Sequence, residues 1–215
     1  QGNGQTELTE AIIGMHGKTT GSIELDGKEL IGKSVKQVLD LGVGFVPEDR
    51  TEDGLVADFT IAENLMLDRS DRAPFAKGIS LQLGVLKEFA LAKLKEFDIR
   101  AQSIESTAAQ LSGGNQQKVV LARELSRDLR LLVASQPTRG LDVGSIEFVH
   151  EQIVATRDKG IPVMIVATEL DEATQLGDRI AVMYRGRVVG VVPADTPRSI
   201  LGQMMAGISN TEAAA

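Results

Sequence analysis

No cysteine occurs among the 215 residues, so disulfides and thiolate metal sites are both excluded. Histidine is scarce, at two residues, and neither reads as catalytic. His16, beside Gly17, suits a helix-end cap, and His150 sits at the edge of an apolar helical face, where packing or solvation is the expected role. Cations are outnumbered: 23 Lys and Arg against 30 Asp and Glu leave a net charge of −7 and a pI near 5.0. A nucleic-acid-binding face needs clustered Lys and Arg, so this balance argues against that class of partner. No apolar run approaches the roughly 18–20 residues of a membrane span. The opening residues do not read as a signal peptide, and neither an internal repeat nor a low-complexity tract is expected apart from an alanine-rich tail in 209–215 expected to fray. The first residue is Gln1 and not Met, which gives the expectation of a piece of a longer protein. What is present is a globular composition, 42% hydrophobic and 25% charged.

The most informative stretch is LSGGNQQK, residues 111–118. A helix-breaking Ser-Gly-Gly runs into a helix expected to open at Asn115, with Leu121 and Leu125 on one stripe. The peptide N–H groups of Ser112, Gly113 and Gly114 then face outward at the positive end of a helix dipole, which suits a phosphate. Two adjacent glycines admit a ligand to the backbone, and the Ser112 hydroxyl adds a donor.

Along the chain, GNGQTEL at residues 2–8 precedes a helix with a Leu8, Ile12, Met15 stripe and Gly17 as its expected C-cap. Gly4-Gln5-Thr6 match the last three positions of the phosphate-binding pattern G-x-x-x-x-G-K-[ST], with Gln5 in place of its lysine. The first glycine of that pattern falls upstream of Gln1, so the expectation is that half the loop and its leading strand are missing. An amide at Gln5 offers no charge, and Glu7 adds a carboxylate near where phosphate would sit. An Asp-Gly turn predicts a hairpin within 21–31, and Val43–Val46 predicts a buried strand before Glu48-Asp49-Arg50. Residues 60–127 look helical, with Leu86, Ala90, Leu94 and Phe97 facing a core. The apolar run 131–134 predicts another buried strand, followed by Ser135-Gln136-Pro137-Thr138. Then come a helix bearing Ile146, Val149 and Ile153 and ended by Gly160, a strand within 161–167, a helix from 170, a hairpin of 179–184 with 187–192, and a terminal helix in 196–206. Strand–helix alternation indicates an α/β domain with a mainly parallel sheet.

LSGGNQQK resembles the signature motif of ATP-binding cassette (ABC) ATPases, in the form typical of simple-sugar and nucleoside importers. GNGQTEL, VPEDR with TIAENL, and RGLD at 139–142 extend the resemblance over nearly the whole chain. It implies an α/β P-loop NTPase fold with an inserted helical subdomain. The α/β core would take residues 1–59 and 128–215, and the signature subdomain 60–127. The likeness is to the C-terminal cassette of importer ATPases in which two cassettes share one polypeptide. It implies ATP and Mg²⁺ as cofactors, held mainly at the partner cassette. The implied partners are the N-terminal cassette of the same polypeptide, membrane permease subunits and, indirectly, a solute-binding protein, at the cytoplasmic face of the membrane.

In that family the signature closes from across a dimer interface onto the γ-phosphate held by the partner. The resemblance therefore assigns Ser112, Gly113, Gly114, Asn115 and Gln116 to nucleotide binding in trans, and Asp142 to the D-loop. Positions serving a nucleotide bound to this chain are altered: Gly2, Asn3, Gly4, Gln5 and Thr6 form a degenerate P-loop. Glu48 stands where the family has Gln, Ser135 and Gln136 where it has Asp and Glu, and Thr168 where it has a switch histidine. Gln136 can orient water but cannot take its proton; Ser135 cannot supply the charge a hard divalent cation prefers. The implied function is an importer cassette that completes its partner's active site and is inactive alone. The alternatives are a non-catalytic regulatory nucleotide-binding module and, less in keeping with the acidic charge, a cassette of a soluble DNA-repair or translation machine. QPTRGLDVGSIEFVH leans towards nucleoside importers.

Overall fold

The computed structural model describes residues 2–208, so the expected frayed tail at 209–215 lies outside them. The chain forms two compact units, one of residues 1–39 with 164–215 and the other of residues 40–163.

In the first unit, α1 (Gln5–Ile13) ends at Gly14, whose φ of 80° closes the helix through bonds to Glu10 and Ala11 carbonyls. The expected stop at Gly17 is three residues late. A Cβ at position 14 would lie 2.7 Å from the Lys33 carbonyl oxygen, so the turn there requires glycine. Met15 consequently leaves the helix and is exposed, while Thr9, Ile12 and Ile13 make the buried face. His16 does cap, through its backbone: its N–H donates to Glu10 O at 3.2 Å. The hairpin β1 (Glu24–Leu25) and β2 (Lys28–Glu29) turns on Asp26 and Gly27, both at positive φ, as the Asp-Gly pair predicts. A short helix, α2 (Val35–Asp40), follows.

The second unit is organised on β3 (Val43–Val46), which pairs in parallel with β6 (Leu131–Ser135), Val43 opposite Leu131 and Val46 opposite Ala134. Both runs are almost wholly apolar because both faces are covered. Between them lie a π-helical turn (Arg50–Gly54), α3 (Ile61–Met66), the hairpin β4 (Ala76–Lys77) with β5 (Ser80–Leu81), α4 (Leu83–Glu96) and α5 (Gly113–Glu124). Residues 60–127 are therefore not helical throughout: Gly78, at φ 63°, turns a two-stranded hairpin inside them. Thr60 and Glu63 form a capping box that starts α3. On the expected stripe, Leu86 and Ala90 of α4 and Phe97 just past its end are buried, and Leu94 is half-buried. Then α6 (Val143–Asp158) buries Val149 and Ile153.

Helix α5 is held by charge as well as by packing. The Arg123 guanidinium and Glu124 carboxylate, 2.8 Å apart and both buried, bind Gly54 O and Phe45 N–H at 2.8 and 3.1 Å respectively. Arg127 joins Glu124 to Asp68, whose carboxyl burial pushes above its ordinary range.

After β7 (Val163–Val166), the first unit resumes with α7 (Leu170–Leu176), the hairpin β8 (Arg179–Tyr184) with β9 (Arg187–Pro193), and α8 (Arg198–Met205). Leu201 and Met204 of α8 pack on Val182 of that hairpin.

Candidate functional site

Helix α5 opens at Gly113, two residues before the expected Asn115, and Ser112 is its N-cap. The Ser112 Oγ accepts from the Asn115 N–H at 3.5 Å and from Asn115 Nδ2 at 2.9 Å. With its oxygen used as acceptor, the hydroxyl keeps its proton to donate. Gly113 and Gly114 occupy the first two helical positions, whose N–H groups have no intrahelical acceptor. Asn115 also fixes the loop after α4, its Oδ1 accepting from Arg100 N–H at 2.8 Å. Gln116 turns the other way and donates Nε2 to Ala108 O at 3.1 Å.

Helix α6 starts in the same neighbourhood. Asp142 caps it, accepting from Ser145 N–H at 3.0 Å and Ser145 Oγ at 2.7 Å. That hydroxyl, and then the amide, hold the Asp142 carboxyl below its ordinary range. A methyl group on Gly114 would overlap the Ser145 hydroxyl, so the second signature glycine is required by the close approach of α6. Ser112, Asn115, Lys118, Asp142, Ser145 and Phe148 line a polar cleft of about 440 Å³. Lys118 lies 4.6 Å from the Phe148 ring centre and donates to Asp98 Oδ2 at 3.0 Å.

Residues 1–139 match the family model described as ABC transporter. The chain belongs to the ABC transporter family.

The cassette is 43% identical over 207 residues to the nucleoside import ATP-binding protein NupA of Lactococcus lactis subsp. cremoris (strain MG1363), a match covering 96% of this chain and 41% of that protein. It is 42% identical to the guanosine import ATP-binding protein NupO of Bacillus subtilis (strain 168), covering 99% and 42%. It is 43% identical to the glucose import ATP-binding protein TsgD13 of Haloferax volcanii, covering 100% and 40%. The chain thus spans about two-fifths of the length of these curated relatives. Among solved structures, the dimeric post-hydrolysis state of the ATP-binding cassette MJ0796 bound to ADP and Pi superposes with a TM-score of 0.75 at 23% identity, covering 91% of this chain and 82% of that one. A nucleotide-free ATP-binding cassette from an ABC transporter gives 0.77 at 20% identity, covering 96% and 83%. The fold is that of ABC cassette P-loop NTPases, as the motifs imply.

In this cassette Glu48 is not in a free solvated turn. Its Oε1 accepts from Arg139 Nη1 at 2.6 Å, although the two residues are 91 apart in sequence. Ser135 and Gln136 are buried at the end of β6, and Gln136 takes a left-handed φ of 46°, a conformation uncommon for a side-chain-bearing residue. The segment is tied to α5 by Gln117, a residue absent from the expected site, whose Nε2 donates to Pro137 O at 2.8 Å. In sequence Gln117 is one of three successive polar residues, Gln116 to Lys118, ahead of the apolar run Val119–Leu121, and nothing local singles it out. A hydroxyl and an amide at 135–136 are a poor donor set for Mg²⁺, and the Glu48 carboxylate is paired to Arg139.

In the other unit, Gly2 and Gly4 have φ of 77° and 96°, and Gly4 is the N-cap of α1. Gln5 folds back, its Oε1 accepting the Asn3 N–H at 3.0 Å. Asn3 in turn holds the β8–β9 turn, its carbonyl and Oδ1 accepting from Gly186 and Arg185 N–H at 2.9 Å each. Thr6 is exposed in the first turn of α1 and accepts from Thr9 Oγ1 at 2.9 Å. Thr168 is exposed in the turn between β7 and α7.

Proposed function

We propose that this chain is the second cassette of an importer ATPase and supplies the signature, in trans, to ATP held by a partner cassette. Its own nucleotide positions do not serve catalysis. The observation that carries this reading is Gln5. Where the P-loop pattern has a lysine aimed at phosphate, Gln5 turns inward and occupies the Asn3 amide, so the loop gains no cation and loses a donor. At α5 the reverse holds: the Ser112 proton and the first-turn amides remain in a donor arrangement suited to an anion. Such donors stabilise charge on a transferring phosphoryl group by preorganised electrostatics.

The partner supplying the intact half is the N-terminal cassette of the same polypeptide, in keeping with relatives about two and a half times as long. Permease subunits and a solute-binding protein complete the importer at the cytoplasmic membrane face. No helix among the described residues is long and apolar enough to cross a membrane. The names of the relatives favour a nucleoside or simple sugar as cargo. The division into a core of 1–59 with 128–215 and a signature subdomain of 60–127 belongs to the same reading.

The test is ATP turnover. Ser112→Arg in the intact importer ATPase abolishes it, and the 215-residue chain alone hydrolyses ATP no faster than buffer. Brisk hydrolysis by the chain alone sinks the proposal.

A further inference from the structure

The turn after β3 and the turn after β6 are clasped by two arginines. Asp49 first fixes the backbone: its Oδ1 accepts from the Thr51 and Glu52 N–H groups at 2.9 and 3.2 Å and from Thr51 Oγ1 at 2.6 Å. Those bonds, the Thr51 hydroxyl foremost, hold the Asp49 carboxyl below its ordinary range. Arg50 therefore leaves a constrained π-helical turn in a set direction. Its Nη1 donates to Arg139 O at 3.0 Å. Its Nη2 fills the space where a Cβ on Gly113 would stand, 2.6 Å away, and a Cβ on Gly140 would be 4.0 Å from the same nitrogen. Arg139 returns the contact by donating to Glu48. One guanidinium is thus wedged between the first residue of α5 and the 139–140 turn, and a second reaches back across it. A planar fork can hold two elements at a fixed separation; an ammonium, as a single point, cannot. The Arg50 Nε is buried without a hydrogen-bond partner, and the hydrogen bond that holds the guanidinium is the one from Nη1 to Arg139 O.

We propose that Arg50 is a positioning residue that sets the spacing between the signature turn and the 139–142 turn. Gly113 is glycine so that this guanidinium fits. The geometric claim stands on the chain alone; its effect on turnover rests on the trans reading above.

The test is a double-variant cycle followed by hydrogen exchange on the 215-residue chain. Arg50→Met raises amide exchange about tenfold at residues 116–118, the first hydrogen-bonded amides of α5, and at 139 and 141, the scale for losing a hydrogen bond from a charged donor, and leaves β3 and β6 unchanged. Gly113→Ala does the same at 116–118, because the methyl group displaces the guanidinium. The double variant exchanges no faster than either single. A double effect near the product, about a hundredfold, overturns the proposal. So does unchanged exchange at 116–118 in Arg50→Met, or an equal rise throughout β3 and β6. If Arg50→Met does not fold, Arg50→Lys decides: faster exchange confined to 116–118 supports the wedge, and none overturns it. In the intact ATPase, Arg50→Lys lowers kcat about tenfold with KM for ATP within about twofold. An unchanged kcat, where Ser112→Arg is inactive, defeats the positioning role. If Ser112→Arg is itself active, the trans reading has failed, and the exchange cycle alone decides the wedge.

Discussion

Gly114→Ala sets two effects against each other, and the structure says which wins. Gly114 is the second residue of α5 and has an ordinary helical backbone, so alanine gains at most about 1 kcal/mol of helix propensity there. The added methyl group, however, overlaps the Ser145 hydroxyl, lies 3.0 Å from Ser145 Cβ and 3.3 Å from Asp142 Oδ2. Ser145 cannot swing away freely, because its amide and hydroxyl are both bonded to Asp142 at the start of α6. Overpacking against a fixed neighbour costs about 1–3 kcal/mol, and displacing Ser145 also disturbs the α6 cap. The net expectation is a loss of about 1–2 kcal/mol of stability, read from urea unfolding followed by circular dichroism. Removing the obstructing oxygen with Ser145→Ala should recover about 1 kcal/mol in the double variant relative to additivity. A Gly114→Ala protein as stable as the parent, or strictly additive behaviour with Ser145→Ala, refutes the steric account. The contrast with Gly113 is part of the prediction, since its neighbour is the flexible end of Arg50 and its substitution should leave global stability nearly unchanged.

Ser112→Ala removes the α5 N-cap and should cost about 1 kcal/mol in the same assay. Arg123→Met leaves the buried Glu124 carboxylate and the Gly54 carbonyl each short of a partner, for a loss of about 3–5 kcal/mol; a tolerated variant would show the network to be dispensable. Glu29 is held at about 2 by the Ile31 amide, the Ser22 hydroxyl and the Ile23 amide, against an ordinary value of 4.5. Its folded pKa is depressed, so its contribution is complete above about 4.5 and is lost as pH falls towards about 2. Protection of the β1–β2 amides, taken as exchange relative to the intrinsic rate at each pH, should fall across that window in the parent chain and not in Glu29→Gln.

Much of this was legible in the sequence for a local reason. Val43–Val46 and the run from Leu131 are apolar on both faces, and the Asp26-Gly27 and Arg185-Gly186 turns carry their own positive φ values. The misplaced boundaries were decided from a distance. Gly14 rather than Gly17 ends α1 because the Lys33 carbonyl passes beside it. The start of α5 moves back to Gly113 because the glycines inside it make room for Arg50 and Ser145. The hairpin at 76–81 has two residues per strand, too few for a period to show. At the site, the residue types were legible and their partners were not. Nothing local says that Glu48 meets Arg139, or that Gln5 turns back on Asn3.

Asn3 carries a consequence for synthesis. Its carbonyl and side chain bind a turn 182 residues further on, so on the ribosome the glycine segment emerges well before its anchor and waits for it. Residues 40–163 can reach their own contacts while Arg185 is still untranslated. The glycine segment, made before residues 40–163, settles after them, and a nascent chain stalled before the final hairpin should expose it to proteases.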